Sequence, residues 1–154
     1  MNIIFEKHIN PDNETRKSID NFLNSGFFDC PIDNFIGNET YYVAKINGVI
    51  VGARKVLSEF NKYFLNTKWK KRLLGLIDEN RDAYYLQALA VDSHHRQKGI
   101  GSKLLEMAIM DIPCSSNIFV SLCSTNTIKD KYSKIYNFKK LRKMENRVIL
   151  GRVY

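Results

Sequence analysis

Residues 89–105 read LAVDSHHRQKGIGSKLL, and this stretch decides the interpretation of the whole chain. It begins at the end of an apolar run, residues 83–91, which predicts a central strand. Gly99 and Gly101 follow, and apolar side chains then recur at helical spacing over residues 101–112. The stretch therefore predicts a strand, a basic loop with two glycines and a helix in direct succession.

The predicted loop has the properties that a pyrophosphate needs. Glycine lets backbone N–H groups approach a ligand closely. The first turn of a helix offers unpaired N–H groups and partial positive charge, which suit a phosphate. Arg96 and Lys98 add charge, and Ser102 adds a hydroxyl. We predict a phosphate cradle formed by Arg96, Gln97, Lys98, Gly99, Ile100, Gly101 and Ser102.

Two familiar phosphate-binding motifs fit this loop poorly. A Walker loop needs Gly-Lys-Ser/Thr, whereas Lys103 follows Ser102 here. A dinucleotide fingerprint needs a third glycine where Leu104 stands. The alternative to a phosphate cradle is that the two glycines only lie at the start of a helix on a basic surface and bind no ligand. The order of strand, aspartate, basic loop and helix favours the phosphate cradle.

Composition limits the class of protein. A chain of 154 residues predicts a single domain, residues 1–154, with an ordinary hydrophobic fraction of 44%. No apolar run is long enough to span a membrane and no signal peptide is evident, so we expect a cytoplasmic protein. Cys30, Cys114 and Cys123 lack CxxC or metal spacing, which predicts buried thiols and no metal site. The net charge of +8 favours binding of polyanions but does not indicate which class of polyanion is bound.

The remaining patterns predict an α/β protein with a mixed sheet. Asp12 is a candidate N-cap for a first helix that ends at Gly26. Asn47-Gly48 is a strong hairpin signal between two strands. The predicted strands are residues 2–9, 41–46, 49–56, 83–91, 118–123, 138–144 and 148–153; helices are predicted at 12–24, within 57–82, at 101–112 and at 127–136, with a loop or short helix at 27–39.

The decisive stretch resembles the central motif of the GNAT superfamily of acyl-CoA-dependent N-acetyltransferases. That motif is an apolar strand ending in Val, a short turn, and Arg/Gln-x-x-Gly-x-Gly/Ala at the start of a helix. Val91, Arg96, Gly99 and Gly101 match it without a gap. Ser93 stands where the family often has Pro, a departure that affects the turn and leaves the loop intact.

The resemblance implies the GNAT fold along nearly the whole chain: a mixed central sheet of about seven strands, flanked by helices and splayed at the central strands. It implies acetyl-CoA as co-substrate and no metal. Backbone amides of residues 97–102 would hold the pyrophosphate. Leu89 and Val91, with Ala90 between them, would offer backbone groups to the thioester carbonyl and the pantetheine arm. An amide directed at the thioester oxygen would stabilise the oxyanion formed when an amine attacks without an acyl-enzyme.

The resemblance also implies a tyrosine general acid on the helix after the next strand. The family pattern Asn-x-x-Ala-x-x-x-Tyr-x-x-x-Gly-Phe is compared with residues 126–138. A gapless match places Asn126 and Phe138 but puts Ser133 at the tyrosine position, whereas a shift of one residue puts Tyr132 there. We predict Tyr132 as the general acid, with a core aromatic as its alternative role. Asn126 is predicted to contact the pantetheine arm or to cap the helix.

The general base is not identified by these patterns. Gln87 stands in the region of the central strand where some family members carry Glu, and an amide cannot take a proton. A water relay is an alternative. His94 and His95 titrate in a suitable range but precede the loop, where a solvent-facing or phosphate-adjacent role is expected. Cys123 has no evident His or Asp partner and is expected to be structural.

These patterns predict an acetyl-CoA-dependent N-acetyltransferase that acts on a primary amine of a small molecule or a protein N-terminus. A homodimer is allowed, and no membrane partner is expected. The alternative is a catalytically weak CoA-binding or nucleic-acid-binding module on the same fold, suggested by the basic and aromatic residues within 54–72. Nucleic acid ranks well below acetyl transfer because no motif that reads DNA or RNA is present.

Overall fold

The computed structural model describes residues 1–26, 38–58, 80–123, 129–143 and 147–152. The helix predicted within 57–82, most of the loop predicted at 27–39, and Asn126 lie outside these ranges. The strands are β1 (Ile4–Ile9), β2 (Glu39–Ile46), β3 (Val49–Leu57), β4 (Ala83–Val91), β5 (Asn117–Cys123), β6 (Lys139–Lys143) and β7 (Arg147–Arg152). The helices within the described ranges are α1 (Asn13–Ser25), α2 (Ile100–Asp111) and α3 (Lys129–Tyr136), with a short 3-10 turn at Ser93–His95.

The strands form a seven-stranded sheet in the order β1-β2-β3-β4-β5-β7-β6. The ladders β1–β2, β2–β3, β5–β7 and β6–β7 are antiparallel, whereas β4 and β5 are parallel. This arrangement confirms the predicted α/β class with a mixed sheet. The described β4–β5 ladder runs from Ala83–Asn117 to Tyr85–Phe119. The splay of the central strands stays a prediction.

The chain divides into two compact units. The first unit comprises Met1–Leu57 and Gln87–Ile112, and the second comprises Ser58–Leu86 and Pro113–Tyr154. Strand β4 contributes its first four residues to the second unit and its last five to the first. The single domain expected from chain length stays a prediction.

Helix α1 covers one face of the sheet in the first unit. Asp12 caps it as predicted, since its carboxylate accepts hydrogen bonds from the Thr15 backbone N–H at 2.8 Å and the Thr15 hydroxyl at 3.0 Å. Ile19 and Leu23 are buried, as their spacing predicts. They form one apolar cluster with Tyr41, Val43, Ala53 and Ala88. This cluster places α1 against β2, β3 and the end of β4.

A buried polar network also ties α1 to β2 and β3. Lys55 Nζ lies 3.0 Å from Glu39 Oε1 and 3.3 Å from Asp20 Oδ1, and the Lys55 and Glu39 side chains are each 2% exposed. Arg16 Nε lies 2.7 Å from Glu39 Oε2. Tyr41 donates from its hydroxyl to Asp20 at 3.0 Å and is placed 3.2 Å from Glu39. Burial, together with these carboxylates, raises the pKa of Tyr41 above its usual range. Periodicity alone does not predict this network.

Helix α2 covers the opposite face of the first unit. Its buried side chains are Ile100, Leu104, Leu105 and Ala108. Gly52 on β3 allows the close approach, because a Cβ there would lie 2.7 Å from Ile100 Cγ2. Asp111, at the end of α2, accepts from Tyr42 Oη at 2.9 Å and pairs with Lys7 Nζ at 2.7 Å.

The predicted hairpin between β2 and β3 is confirmed. Asn47 and Gly48 have φ values of 50° and 79°. Both values lie in the left-handed region that a two-residue type I′ turn requires. Asparagine and glycine tolerate this region better than other residues, which explains why this dipeptide predicts the turn.

The second unit has its own aromatic and aliphatic contacts. Tyr85 on β4 stacks on Phe119 of β5, with ring centroids 5.0 Å apart. One expectation is wrong: Cys114 is exposed instead of buried, because it lies in the turn between α2 and β5. Cys30 and the side chain of Cys123 lie outside the described part of the structure.

Candidate functional site

The last residues of β4 present backbone groups away from β3. The Asp92 N–H donates to the Val51 carbonyl at 2.9 Å, so this end of β4 pairs with β3. Backbone polar groups alternate from one edge of a strand to the other. The N–H and C=O groups of Leu89 and Val91 therefore point away from β3, whereas those of Ala90 point toward it. This geometry suits the predicted role of Leu89 and Val91 in offering backbone groups to an extended ligand.

The side chains of the same residues face two different helices. Leu89 and Val91 lie nearest to Gly101 of α2, whereas Ala90 lies beside Gly26 at the end of α1 and packs on the α1 cluster. The structure thus separates the three strand residues that sequence analysis grouped. Ala90 is partly buried against the cluster beneath α1, its backbone groups point toward β3, and its role in cofactor binding stays a prediction.

A short turn joins β4 to the loop. Asp92 caps the Ser93–His95 turn by accepting from the His94 backbone N–H at 3.0 Å, and Asp92 Oδ1 lies 2.9 Å from His95 Nδ1. The hydrogen bond with His95 is the largest cause that lowers the pKa of Asp92. The His94 side chain is 89% exposed, as expected, whereas that of His95 is 22% exposed. Asp92 is a positioning residue that sequence analysis did not assign, although an aspartate directly before a turn is the usual signal for such a cap.

The loop itself adopts an unusual backbone conformation. Gln97 has a φ of 62° and Gly99 a φ of 77°. A non-glycine residue in this region costs free energy, and such residues cluster at functional sites. Arg96, Gln97, Lys98 and Gly99 are exposed, so their charge and backbone face solvent. The Arg96 Nε donates to the Val91 carbonyl at 3.3 Å, which fixes the guanidinium beside the end of β4.

The start of α2 has the geometry of an anion site. Gly99 is the N-cap and provides no side-chain cap. The first intrahelical hydrogen bond runs from the Lys103 N–H to the Gly99 carbonyl at 2.9 Å. The N–H groups of Ile100 and Gly101 precede that bond and lie outside the helical ladder. Their partial positive charge is directed toward the space in front of the helix, where a phosphate is favoured.

Packing against the described residues does not require a glycine at the position of Gly101. A Cβ added there would lie 3.5 Å from Val91 Cγ2 and 3.8 Å from Leu89 Cδ2, which are ordinary contacts. Glycine in a helix is less stable than alanine by roughly 1 kcal/mol. The fold therefore gains nothing from glycine here, whereas a ligand that must approach the backbone closely does.

The predicted general-acid residues belong to the second unit. Tyr132 on α3 is buried, with 1% exposure, and its ring lies 5.3 Å from that of Phe138. The Phe138 N–H donates to the Tyr132 carbonyl at 3.1 Å. Ser133 is exposed. Tyr132 thus packs as a core aromatic, which is its alternative role, and its role in proton transfer stays a prediction.

Gln87 on β4 carries a buried amide oxygen, Oε1, with no hydrogen-bond partner among the residues that the structure describes. Its position two residues before Leu89 places it on the α2 face of the strand. An unsatisfied buried acceptor is uncommon and costly in a folded protein. Gln87 therefore holds a buried acceptor atom on this face of β4, and as an amide it cannot act as a base.

Within residues 1–26, 38–58, 80–123, 129–143 and 147–152, no three His, Cys, Asp or Glu residues form a group that could hold a metal ion. In the same part of the chain, no helix has the length and apolar character needed to cross a membrane.

The model of the Acetyltransferase (GNAT) family matches residues 4–126. This range contains β1 through β5 and the whole of the loop and α2. No curated protein sequence matches the chain.

Several solved structures share the fold at low sequence identity. An acyl-CoA N-acyltransferase from Pseudomonas aeruginosa is 12% identical, with a TM-score of 0.72, and the alignment covers 99% of this chain and 100% of that one. Arabidopsis thaliana NAA60 in complex with acetyl-CoA is 15% identical, with a TM-score of 0.64 and 98% of each chain covered. Arabidopsis thaliana Naa50 in complex with the bisubstrate analogue CoA-Ac-MVNAL is 15% identical, with a TM-score of 0.62 and coverage of 97% and 99%.

Proposed function

The chain belongs to the acetyltransferase (GNAT) family, and from this membership we propose that it transfers an acetyl group from acetyl-CoA to a primary amine of a small molecule or a protein N-terminus. The observation that carries the proposal is the start of α2. Its N–H groups at Ile100 and Gly101 lie outside the helical ladder, behind a loop whose cations are exposed.

The first unit would bind the donor through its backbone. The amides of residues 97–102 would bind the pyrophosphate, with Arg96 and Lys98 supplying positive charge. The groups of Leu89 and Val91 that point away from β3 would pair with the pantetheine arm and the thioester oxygen. A backbone N–H directed at that oxygen is worth most in the transition state, because negative charge develops there as the amine attacks.

The proton steps require an acid and a neutral amine. In the proposed reaction, the amine nitrogen attacks the thioester carbon and the resulting tetrahedral intermediate expels the thiolate of CoA. Tyr132 is proposed to donate its hydroxyl proton to that thiolate. The amine loses its proton to water, because the β4 residue Gln87 accepts hydrogen bonds but takes no proton.

The proposed acceptor, a primary amine of a small molecule or a protein N-terminus, rests on the chemistry of direct transfer and on the similar structures. Direct transfer needs only an amine that can reach the thioester, which includes free small-molecule amines. The similar Naa50 structure holds the analogue CoA-Ac-MVNAL, and another similar structure, the NatC complex, is bound to Gag peptide and CoA. These peptide complexes support placing protein N-termini in the acceptor class of this chain.

The proposal is tested by two measurements on the full chain. Calorimetry with CoA should show binding, and release of free thiol from acetyl-CoA should depend on an added amine from a panel of small amines and peptides. Loss of both signals would contradict the proposal. CoA binding without thiol release for any amine would instead support the alternative, a CoA-binding module without transfer activity.

A further inference from the structure

The positive charge of the chain is distributed unevenly between its two units. The described residues of the second unit contain ten Lys or Arg and two Asp, a net charge of +8. The described residues of the first unit contain nine Lys or Arg and eight Asp or Glu, a net charge of +1. A charge asymmetry of this size within one chain points to a polyanionic partner.

The excess is concentrated on a sheet edge. Strand β6 reads KKLRK, and Lys139, Lys140, Arg142 and Lys143 are all exposed; we call these four residues the basic edge. Strand β6 is last in the strand order. Helix α3 adds Lys131 and Lys134 nearby in the chain.

The register of β6 places cations on both of its faces. Lys139 and Arg142 lie opposite Gly151 and Ile149, whereas Lys140 and Lys143 lie opposite Leu150 and Val148. The irregularity between Lys140 and Arg142 adds one residue, Leu141. Because opposed residues share a face, Lys139 and Arg142 lie on one face and Lys140 and Lys143 lie on the other. An extended anion lying along this edge would meet positive charge from both sides.

The cations of the first unit are largely compensated, in contrast to those of the basic edge. Lys7, Lys45, Lys55 and Lys103 each pair with a carboxylate. Among the described residues, Lys139, Lys140 and Lys143 have no carboxylate within ion-pair distance. Three lysines without a carboxylate partner on one short strand repel one another. A phosphate chain would relieve that repulsion.

We propose that the basic edge binds the phosphate backbone of a nucleic acid without sequence preference. Such binding depends on neutralising phosphates and releasing counterions, so it needs no base-reading motif. The lack of a motif that reads DNA or RNA bases therefore argues only against sequence-specific recognition.

The chemistry of the basic edge favours nucleic acid over other anionic partners. A membrane-surface segment presents an apolar face beside its cations. Leu141 is the one apolar residue of β6, and it contacts the position of Gly151 within the sheet. A protein interface buries aromatic residues and is depleted of lysine at its core. The basic edge has neither an apolar face nor an aromatic core.

An alternative role for the basic edge is to protect the sheet edge from pairing with another chain, since lysines and bulges on a short edge strand discourage aggregation. We call this role edge protection. That role concerns only the edge strand. The same unit also carries Lys131 and Lys134 on a helix, where no sheet edge needs protection. Edge protection therefore leaves part of the charge excess unexplained.

Fluorescence anisotropy with a labelled single-stranded RNA of random sequence tests the proposal, with DNA of the same sequence as a second probe. We expect a dissociation constant of about 10⁻⁴–10⁻⁶ M near physiological salt. The variant Lys140→Glu/Lys143→Glu should reduce the slope of log K against log salt by roughly 1.4, about 0.7 for each lost phosphate contact. The matched control Lys17→Glu/Lys45→Glu makes the same charge change in the first unit and should alter the slope little.

Three outcomes would overturn the proposal. They are no RNA or DNA binding at about 50 mM salt, equal losses in the two double variants, or binding to phosphatidylserine vesicles but not to nucleic acid. Acetyl-CoA turnover of Lys140→Glu/Lys143→Glu should equal that of the unmodified chain. This measurement keeps the two proposals separate, because failure of turnover in every form would leave the RNA result intact.

Discussion

At the scale of single residues, Gly101 differs from the glycines that packing requires. Gly52 and Gly151 are constrained by their own neighbours, since an added Cβ would lie 2.7 Å from Ile100 Cγ2 or 2.5 Å from Leu141 Cδ1. At Gly101 the same Cβ would make only ordinary contacts. A glycine that packing does not require, at the start of a helix, is consistent with a ligand against the backbone.

Gly101→Ala should therefore stabilise the protein while weakening donor binding. Thermal or urea unfolding should show a gain of up to about 1 kcal/mol, because alanine is the better helix former. Calorimetry should show at least a tenfold loss of CoA affinity, about 1.4 kcal/mol. Gly151→Ala is the contrasting control: it should lower stability, because its Cβ meets the Ile118 carbonyl oxygen at 2.9 Å, and leave CoA affinity unchanged. Full CoA affinity in Gly101→Ala would show that nothing approaches this backbone closely.

The variant Tyr132→Phe tests whether this buried side chain also acts as the general acid. Tyr132→Phe removes the hydroxyl and keeps the ring contact with Phe138, so the variant should remain folded. Loss of a general acid should lower kcat by roughly 10²-fold while KM for acetyl-CoA stays nearly constant. Steady-state kinetics checks this result, with the exposed neighbour in Ser133→Ala as the matched variant. A drop in kcat for Ser133→Ala alone would assign the role to the gapless alignment instead.

At the scale of elements, α1 is held to β2 and β3 by apolar packing and by the buried network around Lys55. Sequence patterns predict the packing, because Ile19 and Leu23 follow helical spacing. They do not predict the network. Glu39 and Lys55 are separated by a hairpin, and only the β2–β3 register brings Lys55 opposite Tyr41 and close to Glu39.

Lys55→Met should be destabilising, because it removes the buried cation and leaves the buried Glu39 carboxylate with the partly exposed Arg16 alone. We expect a loss of about 3–5 kcal/mol in the free energy of unfolding, measured by urea denaturation. The double variant Glu39→Gln/Lys55→Met should recover part of this loss, since neither charge is then left buried alone. Lys103→Met, which removes the exposed pair with Glu106, should cost less than about 1 kcal/mol. A similar small cost for Lys55→Met would mean that solvent reaches the network.

At the scale of the whole molecule, several carboxylates have their pKa lowered by partners that exist only in the folded chain. Hydrogen bonds from Lys45 lower the pKa of Glu6 below 4.5, and those from Lys7 lower the pKa of Asp111 below 3.8. A carboxylate with a depressed folded pKa adds stability above its unfolded pKa, and that stability is lost as the pH falls through the folded pKa.

The free energy of unfolding should therefore decrease as the pH is lowered from about 5 toward 3. Urea denaturation across this range checks the direction. Asp111→Asn should flatten the decrease, because it removes a group whose charge is stabilised by Lys7 at 2.7 Å and Tyr42 at 2.9 Å. The effect should be modest, because the Asp111 side chain is 40% exposed. An acid response identical in both proteins would contradict a contribution from Asp111.

Local sequence patterns alone predict several elements of this fold. The boundaries of β4, the Asp12 cap, the Asn47-Gly48 turn and the strand–loop–helix order around Gly101 depend on interactions between residues close in the chain. Such interactions follow backbone preferences and apolar periodicity, which are visible in the sequence. The family resemblance of residues 89–105 depends on the same short range.

The remaining features could be seen only in the tertiary structure, because they depend on which residues distant in the chain become neighbours. The separation of Ala90 from Leu89 and Val91, the exposure of Cys114 and the burial of Lys55 beside Glu39 all follow from strand pairing and helix placement. The same is true of the basic edge, since only the strand order places β6 last in the sheet. Residues 89–105 thus predict a phosphate-binding loop from the sequence, but only the folded chain shows which of their backbone groups point away from β3.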